Sequence, residues 1–179
     1  MKNLILAFLF ALIPVSVSAR IGDKDHNRCV IVYSSGAQYA DGDAGAGDTD
    51  EETAYQWTVP GGLMGPNGWM VVEFGVAQTS SANNKTYRLK SVSGTNTHVS
   101  VINGAAAGQR QYFRVNNRNS QSSQWNGINI SNQFSAGTPN ATTAVDTSVD
   151  VVWSLTLQKA TGTETLTGEG LSATVCYAP

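Results

Sequence analysis

Apolar and polar side chains alternate with a period of two along most of this chain, and no other feature restricts its fold as strongly. Val149, Val151, Trp153, Leu155 and Leu157 alternate with Asp150, Val152, Ser154, Thr156 and Gln158. Successive side chains of a strand point to opposite faces, so this stretch reads as a long half-buried strand. Leu171, Ala173, Val175 and Tyr177 repeat the pattern against Ser172, Thr174 and Cys176. Strand-like segments also cover 29–33, 55–59, 69–77, 85–92, 97–102, 110–116 and 125–134. Turn chemistry separates them: Pro60-Gly61-Gly62, Gly65-Pro66-Asn67-Gly68, Asn83-Asn84, Ser93-Gly94, Asn103-Gly104 and Gly137-Thr138-Pro139-Asn140. Beyond the N-terminal segment no apolar stripe at helical spacing extends over three turns. The expected fold class is all-β: an antiparallel β-sandwich of jelly-roll type, with about eight to nine strands.

The start of the chain has a different character. Lys2, the apolar run from Leu4 to Val17 and the small residues Val17-Ser18-Ala19 have the layout of a secretory signal peptide. Pro14 interrupts the run, which is shorter than the roughly 20 residues that span a bilayer. The expectation is therefore export without stable membrane insertion. Residues 40–52, ADGDAGAGDTDEE, contain no large apolar side chain and read as a solvated acidic loop. The expected organisation is a signal peptide over 1–19, an N-terminal strand and acidic loop over 20–52, and the sandwich over 53–179.

Ten basic residues remain against thirteen acidic ones once Lys2 is set aside, and they form no cluster. That balance excludes an electrostatic footprint for nucleic acid. Cys29 and Cys176 stand near opposite ends of the exported chain. In an oxidising compartment they can pair, or they can remain as two buried thiols. Asp41, Asp43, Asp48 and Asp50 are the candidate metal ligands, with oxygen donors of the kind calcium takes. Gly45 stands where an EF-hand loop needs its third acidic or amide ligand, so no cofactor is expected beyond that weak calcium candidate.

No catalytic residues are expected. His26 and His98 lie outside any known catalytic or zinc pattern, and the strand-like surroundings of His98 predict a surface side chain. Nothing in the spacing of Glu73, Asp146, Asp150 and Glu164 brings two carboxylates together for glycoside hydrolysis. Among the four tryptophans, Trp153 is in phase with an apolar face and belongs to the core, whereas Trp125 sits between Gln124 and Asn126. Trp125 and Asn126 are the candidate ligand-binding residues, with packing into a core or interface as the alternative for Trp125.

From about Thr53 to Tyr177 the order of features resembles the jelly-roll structural proteins of tailed bacteriophages, of the tail, fibre or decoration type. The resemblance rests on YQWTVPGGLMGPNGW (55–69), ANNKTYRLK (82–90), FRVNNRNSQSSQ (113–124) and AVDTSVDVVWSL (144–155), followed by the strand over 171–177. It implies a non-enzymatic virion structural or surface protein that self-assembles as a homo-oligomer or with other virion proteins, and that can touch a host-surface glycan or receptor. A signal peptide departs from that pattern. It favours the alternative, a secreted bacterial lectin-like or adhesin sandwich that binds a glycan. An extracellular hydrolase is a third reading with no residue-level support. The expected location is the virion surface or the extracellular space.

Overall fold

The computed structural model describes residues 28–40, 49–91, 96–103, 107–129 and 142–179. The signal peptide expected over 1–19 and the acidic residues Asp41, Asp43 and Asp48 lie outside them. Eleven strands are present among the described residues: β1 (Cys29–Ser35), β2 (Tyr39–Ala40), β3 (Glu52–Val59), β4 (Trp69–Gln78), β5 (Lys85–Ser91), β6 (Asn96–Asn103), β7 (Gly108–Asn117), β8 (Gln124–Asn129), β9 (Thr142–Thr143), β10 (Val151–Lys159) and β11 (Leu166–Cys176). β2 and β9 have two residues each, which leaves nine longer strands.

Alternation dictates the layering. Every second residue of β4, from Met70 to Gln78, is buried, as is every second residue of β5 from Lys85 to Ser91. One sheet runs β1-β11-β4-β7-β8-β9 with β2 also on β11, and the other runs β3-β10-β5-β6. All strand pairs are antiparallel. With β2, β8 and β9 set aside, eight strands remain, ordered first-eighth-third-sixth in one sheet and second-seventh-fourth-fifth in the other. That is the jelly-roll winding, so the sandwich expected from the sequence is the one found.

The core lies between the inner faces. Phe74 packs against Phe113 and Tyr87 with ring centroids 5.0 and 5.9 Å apart. Trp153, Leu155 and Leu157 of β10, beside Tyr87 in the smaller sheet, are fully buried. Tyr87 and Leu89 point inward from β5 and Phe113 and Val115 from β7, as the alternation requires. One buried ion pair closes the edge of this core. Lys85 Nζ lies 3.0 Å from Glu164 Oε2 and donates to Ser81 Oγ and the Asn83 carbonyl. A hydrogen bond from Ser81 and others from Lys85 and Asn83 outweigh desolvation and hold the Glu164 carboxyl below the usual carboxylate range.

Several strand boundaries differ from the sequence reading, and those of β10 and β11 are the most instructive. β10 begins at Val151, and Val149 is exposed in the preceding turn. The turn is fixed by Asp146 Oδ1, which accepts from the Ser148 amide, and by Asp150 Oδ1, which accepts from the Gly61 amide. β11 begins at Leu166, five residues before the apolar alternation that announces it. Its glycines look like turn signals but allow the strand to continue. A Cβ on Gly168 would meet the Tyr55 ring at 2.9 Å, and Gly170 has a φ of +138° beside a register shift in the pairing with β4.

The strand before the acidic segment belongs to the sandwich. β1 pairs along β11 at one edge of the larger sheet, with Cys29 directly opposite Cys176. The two residues form a disulfide with their Cα atoms 4.0 Å apart. Of the two states left open by the sequence, the paired one is present.

Candidate functional site

The two outer faces of the sandwich differ in chemistry. On the smaller sheet, Arg88 and Lys90 point outward from β5 and pair with Glu51 at 3.1 and 2.9 Å. Burial acts to raise the Glu51 carboxyl, but hydrogen bonds from Thr156 and Lys90 and the nearby positive charges lower it overall. Both cations are engaged by the one carboxylate. The larger sheet instead presents aromatic and amide groups.

Register brings them together. Trp69 on β4 is opposite Asn116 on β7, which is opposite Trp125 on β8; one step along, Val71, Arg114 and Gly127 form the next row; then come Glu73 and Tyr112. Trp69, Tyr112 and Asn116 are part-buried, Arg114 is exposed and Trp125 is 38% exposed. Gly127 makes room for Trp125: a Cβ there would lie 3.0 Å from Cη2 of the indole. The ring therefore lies along the strand, across the backbone of Gly127. The Arg114 guanidinium sits 5.1 Å from the Trp69 ring centroid and donates from Nε to Asn116 Oδ1 at 2.8 Å. Asn116 Nδ2 in turn reaches the Trp125 carbonyl at 3.4 Å. Stacking on Trp69 and the bond to Asn116 fix the planar guanidinium on the surface, where it serves as an ordered donor.

The candidate pair of the sequence reading is split by the pleat. Trp125 faces outward, while Asn126 is 2% exposed and points into the sandwich. Neighbouring strand residues cannot share a face, so Asn126 is corrected from ligand contact to core amide. Asn116, on the neighbouring strand directly opposite Trp69, supplies the amide that Asn126 was expected to provide. Trp69 and Tyr112 were missed because they lie on other strands than Trp125 and are brought to its face only by strand register.

A second constellation lies inside. Ser91 Oγ is 2.5 Å from His98 Nε2, and His98 Nδ1 is 3.4 Å from Asn126 Oδ1. Nucleophilic relays order their groups in this way, but all three side chains are buried and the imidazole packs 4.6 Å from the Trp153 ring. The expected surface position of His98 is thus corrected. It falls at a β-bulge between Leu89↔Val99 and Lys90↔Thr97, which re-aims its side chain inward. Desolvation lowers its pKa from 6.5 to about 4, against a smaller opposing effect from Asn126. A base this weak and this enclosed acts as a packing element.

The same shift makes a pH prediction. Because the folded pKa is depressed, the neutral form is favoured in the fold, so stability is complete above the unfolded value and falls as pH drops toward the folded value. Between pH 7 and pH 5 the parent should lose about 2 kcal/mol from this group. The lowered carboxylates Glu51, Asp146 and Glu164 act at lower pH. Thermal melts at the two pH values test this. The parent's melting temperature should drop and that of His98→Gln should stay nearly level, whereas equal drops would show that another group titrates.

Of the candidate metal ligands, only Asp50 is described, and it is exposed. Among the described residues no group of three or more His, Cys, Asp or Glu side chains converges. Each of the four carboxylates considered for hydrolysis is engaged by its own neighbours. Glu73 pairs with Arg110, Glu164 with Lys85, and Asp146 and Asp150 accept bonds from turn groups.

No protein-family model and no curated protein match the chain. Among solved structures it is similar to the CBM2 module of the evolved Dit of Lactobacillus casei BL23 phage J-1, at 8% identity over 83% of this chain and 96% of that one, with a TM-score of 0.42. It is also similar to the structure of infectious bursal disease virus Gt strain, at 13% identity over 87% of this chain and 43% of that one, with a TM-score of 0.31. A mutant VP2 protein of infectious bursal disease virus, in derived T=1 particles, matches at 14% identity over 96% of this chain and 45% of that one, with a TM-score of 0.28.

Proposed function

We propose that this protein is a non-enzymatic β-sandwich displayed outside the cytoplasm that binds a glycan on the outer face of its larger sheet. The observation that carries the reading is the Trp125 indole lying over Gly127 beside Asn116 and the Arg114 guanidinium. A sugar ring offers an apolar face for stacking and a rim of hydroxyls. The indole matches the first, and the fixed amide and guanidinium match the second. The disulfide supports display in an oxidising location.

Assembly into a virion surface is a second reading, favoured by a different observation. Val30 and Ile31 on edge strand β1 are 44% and 68% exposed, and an exposed apolar edge invites strand pairing between copies.

A glycan array with light scattering as a companion readout separates the two. On the glycan reading, Trp125→Ala lowers affinity by about tenfold, the worth of one lost stacking contact, while Val149→Ala, in the turn before β10, binds like the parent. Binding that is absent from the array, together with a parent that forms stable oligomers dissociated by Ile31→Asp, would select assembly instead.

A further inference from the structure

Resting on the glycan reading, we infer that the cavity beside Gly75 and the β11 bulge is a second subsite on the same face, and that the ligand is an extended neutral oligosaccharide. The cavity has a volume of about 360 Å³ and is lined by Ser34, Gly36, Glu73, Arg110, Glu169 and Ser172. It adjoins the aromatic face directly, because Glu73 is opposite Tyr112 on one side and Ser172 on the other.

Its floor is glycine. Gly75 is opposite Gly170 on β11 and Arg110 on β7. A Cβ on Gly75 would stand 3.4 Å from the Glu169 Cβ, and one on Gly170 would lie 2.9 Å from the Ser35 carbonyl. Side chains there would fill the hollow; glycine lets a ligand approach the backbone. The register shift between Gly168 and Gly170 places Glu169 at the rim, and bulges commonly re-aim side chains in this way.

The rim groups are held in place by neighbours. Arg110 Nε lies 2.5 Å from Glu73 Oε1, and Gln38 Nε2 donates to Glu169 Oε2 at 2.6 Å. A carboxylate has about four acceptor sites, so each retains capacity for sugar hydroxyls. Two carboxylates against one guanidinium give the hollow a net negative charge, which disfavours uronic or sialic acids. Length follows from the strand. Gly75 is six residues beyond Trp69 on β4, about 20 Å along the face, a span that needs several sugars.

The test uses the full chain on a printed array of neutral glucan, galactan and N-acetylglucosamine hexasaccharides, the matching disaccharides, and uronic-acid-bearing hexasaccharides. Glu169→Ala should weaken neutral hexasaccharide binding by about tenfold, the loss of one bond to a charged acceptor, and leave disaccharide binding unchanged. Ser172→Trp, which fills the hollow, should do the same. The parent should prefer neutral over acidic hexasaccharides, and Glu169→Ala should narrow that preference. Both variants binding hexasaccharides like the parent, while Trp125→Ala does not, would overturn the subsite and leave the aromatic face standing. A parent that binds nothing on the array would overturn both readings.

Discussion

Replacing Cys29 and Cys176 together with serine should lower the free energy of unfolding by about 5 kcal/mol, because their bond closes one of the longest loops the chain can form. The two residues are 147 positions apart, and cross-linking removes conformations from the unfolded chain in proportion to the logarithm of that length. A domain of ordinary stability holds only about 5–15 kcal/mol in total, so the variant should be near its unfolding threshold at room temperature. Urea titration reads the effect in two ways. The midpoint falls, and the dependence on urea steepens because an uncross-linked unfolded chain exposes more surface. Hydrogen exchange adds a local readout: β1, at the sheet edge, should lose protection before β4 or β7. A fall below about 1 kcal/mol would show that hydrogen bonding to β11 holds β1 without covalent help.

The next largest effect is expected at Gly68. A Cβ there would lie 1.6 Å from the Met64 carbonyl oxygen and 2.5 Å from that of Cys176, so Gly68→Ala must move backbone. The surrounding segment is a junction. Gly68 accepts from the Asn117 amide, Gly65 from the Asn117 side chain, Pro66 from the Ser120 amide and Met64 from the Ala178 amide. Displacing it strains the start of β4, the end of β7 and the C-terminal residues together, at a cost of about 3 kcal/mol. Gly36→Ala is the matched control, since nothing lies within 4 Å of a Cβ at that position. Melting temperatures of the two variants decide the point, and equal values would mean that the turn yields easily. Because Gly68 precedes Trp69, the same substitution should also weaken glycan binding in excess of its effect on folding.

The layers of the sandwich were legible because alternation is a local property. In β5 and β7 the alternate residues Tyr87, Leu89, Phe113 and Val115 are all buried, as a period of two requires. Local reading failed where the backbone departs from a regular pleat. His98 turns inward at a bulge, and β11 runs through Gly168 and Gly170 before its apolar alternation begins. The binding face was less legible than the fold. Trp125 could be singled out from its amide neighbours, but its partners come from β4 and β7, and only pairing register aligns Trp69, Asn116 and Trp125 in one row. Asn126, next to it in sequence, faces the core because the pleat turns adjacent side chains to opposite faces.

The covalent bond between β1 and β11 also has a mechanical meaning. Tension that enters the chain ahead of Cys29 and leaves it after Cys176 passes through one sulfur–sulfur link, and the strands between carry none of it. A protein that grips a surface while being pulled at its ends could therefore bear load without unravelling. The same pull on the reduced chain would peel β1 from the edge of the sheet, one hydrogen-bonded pair at a time.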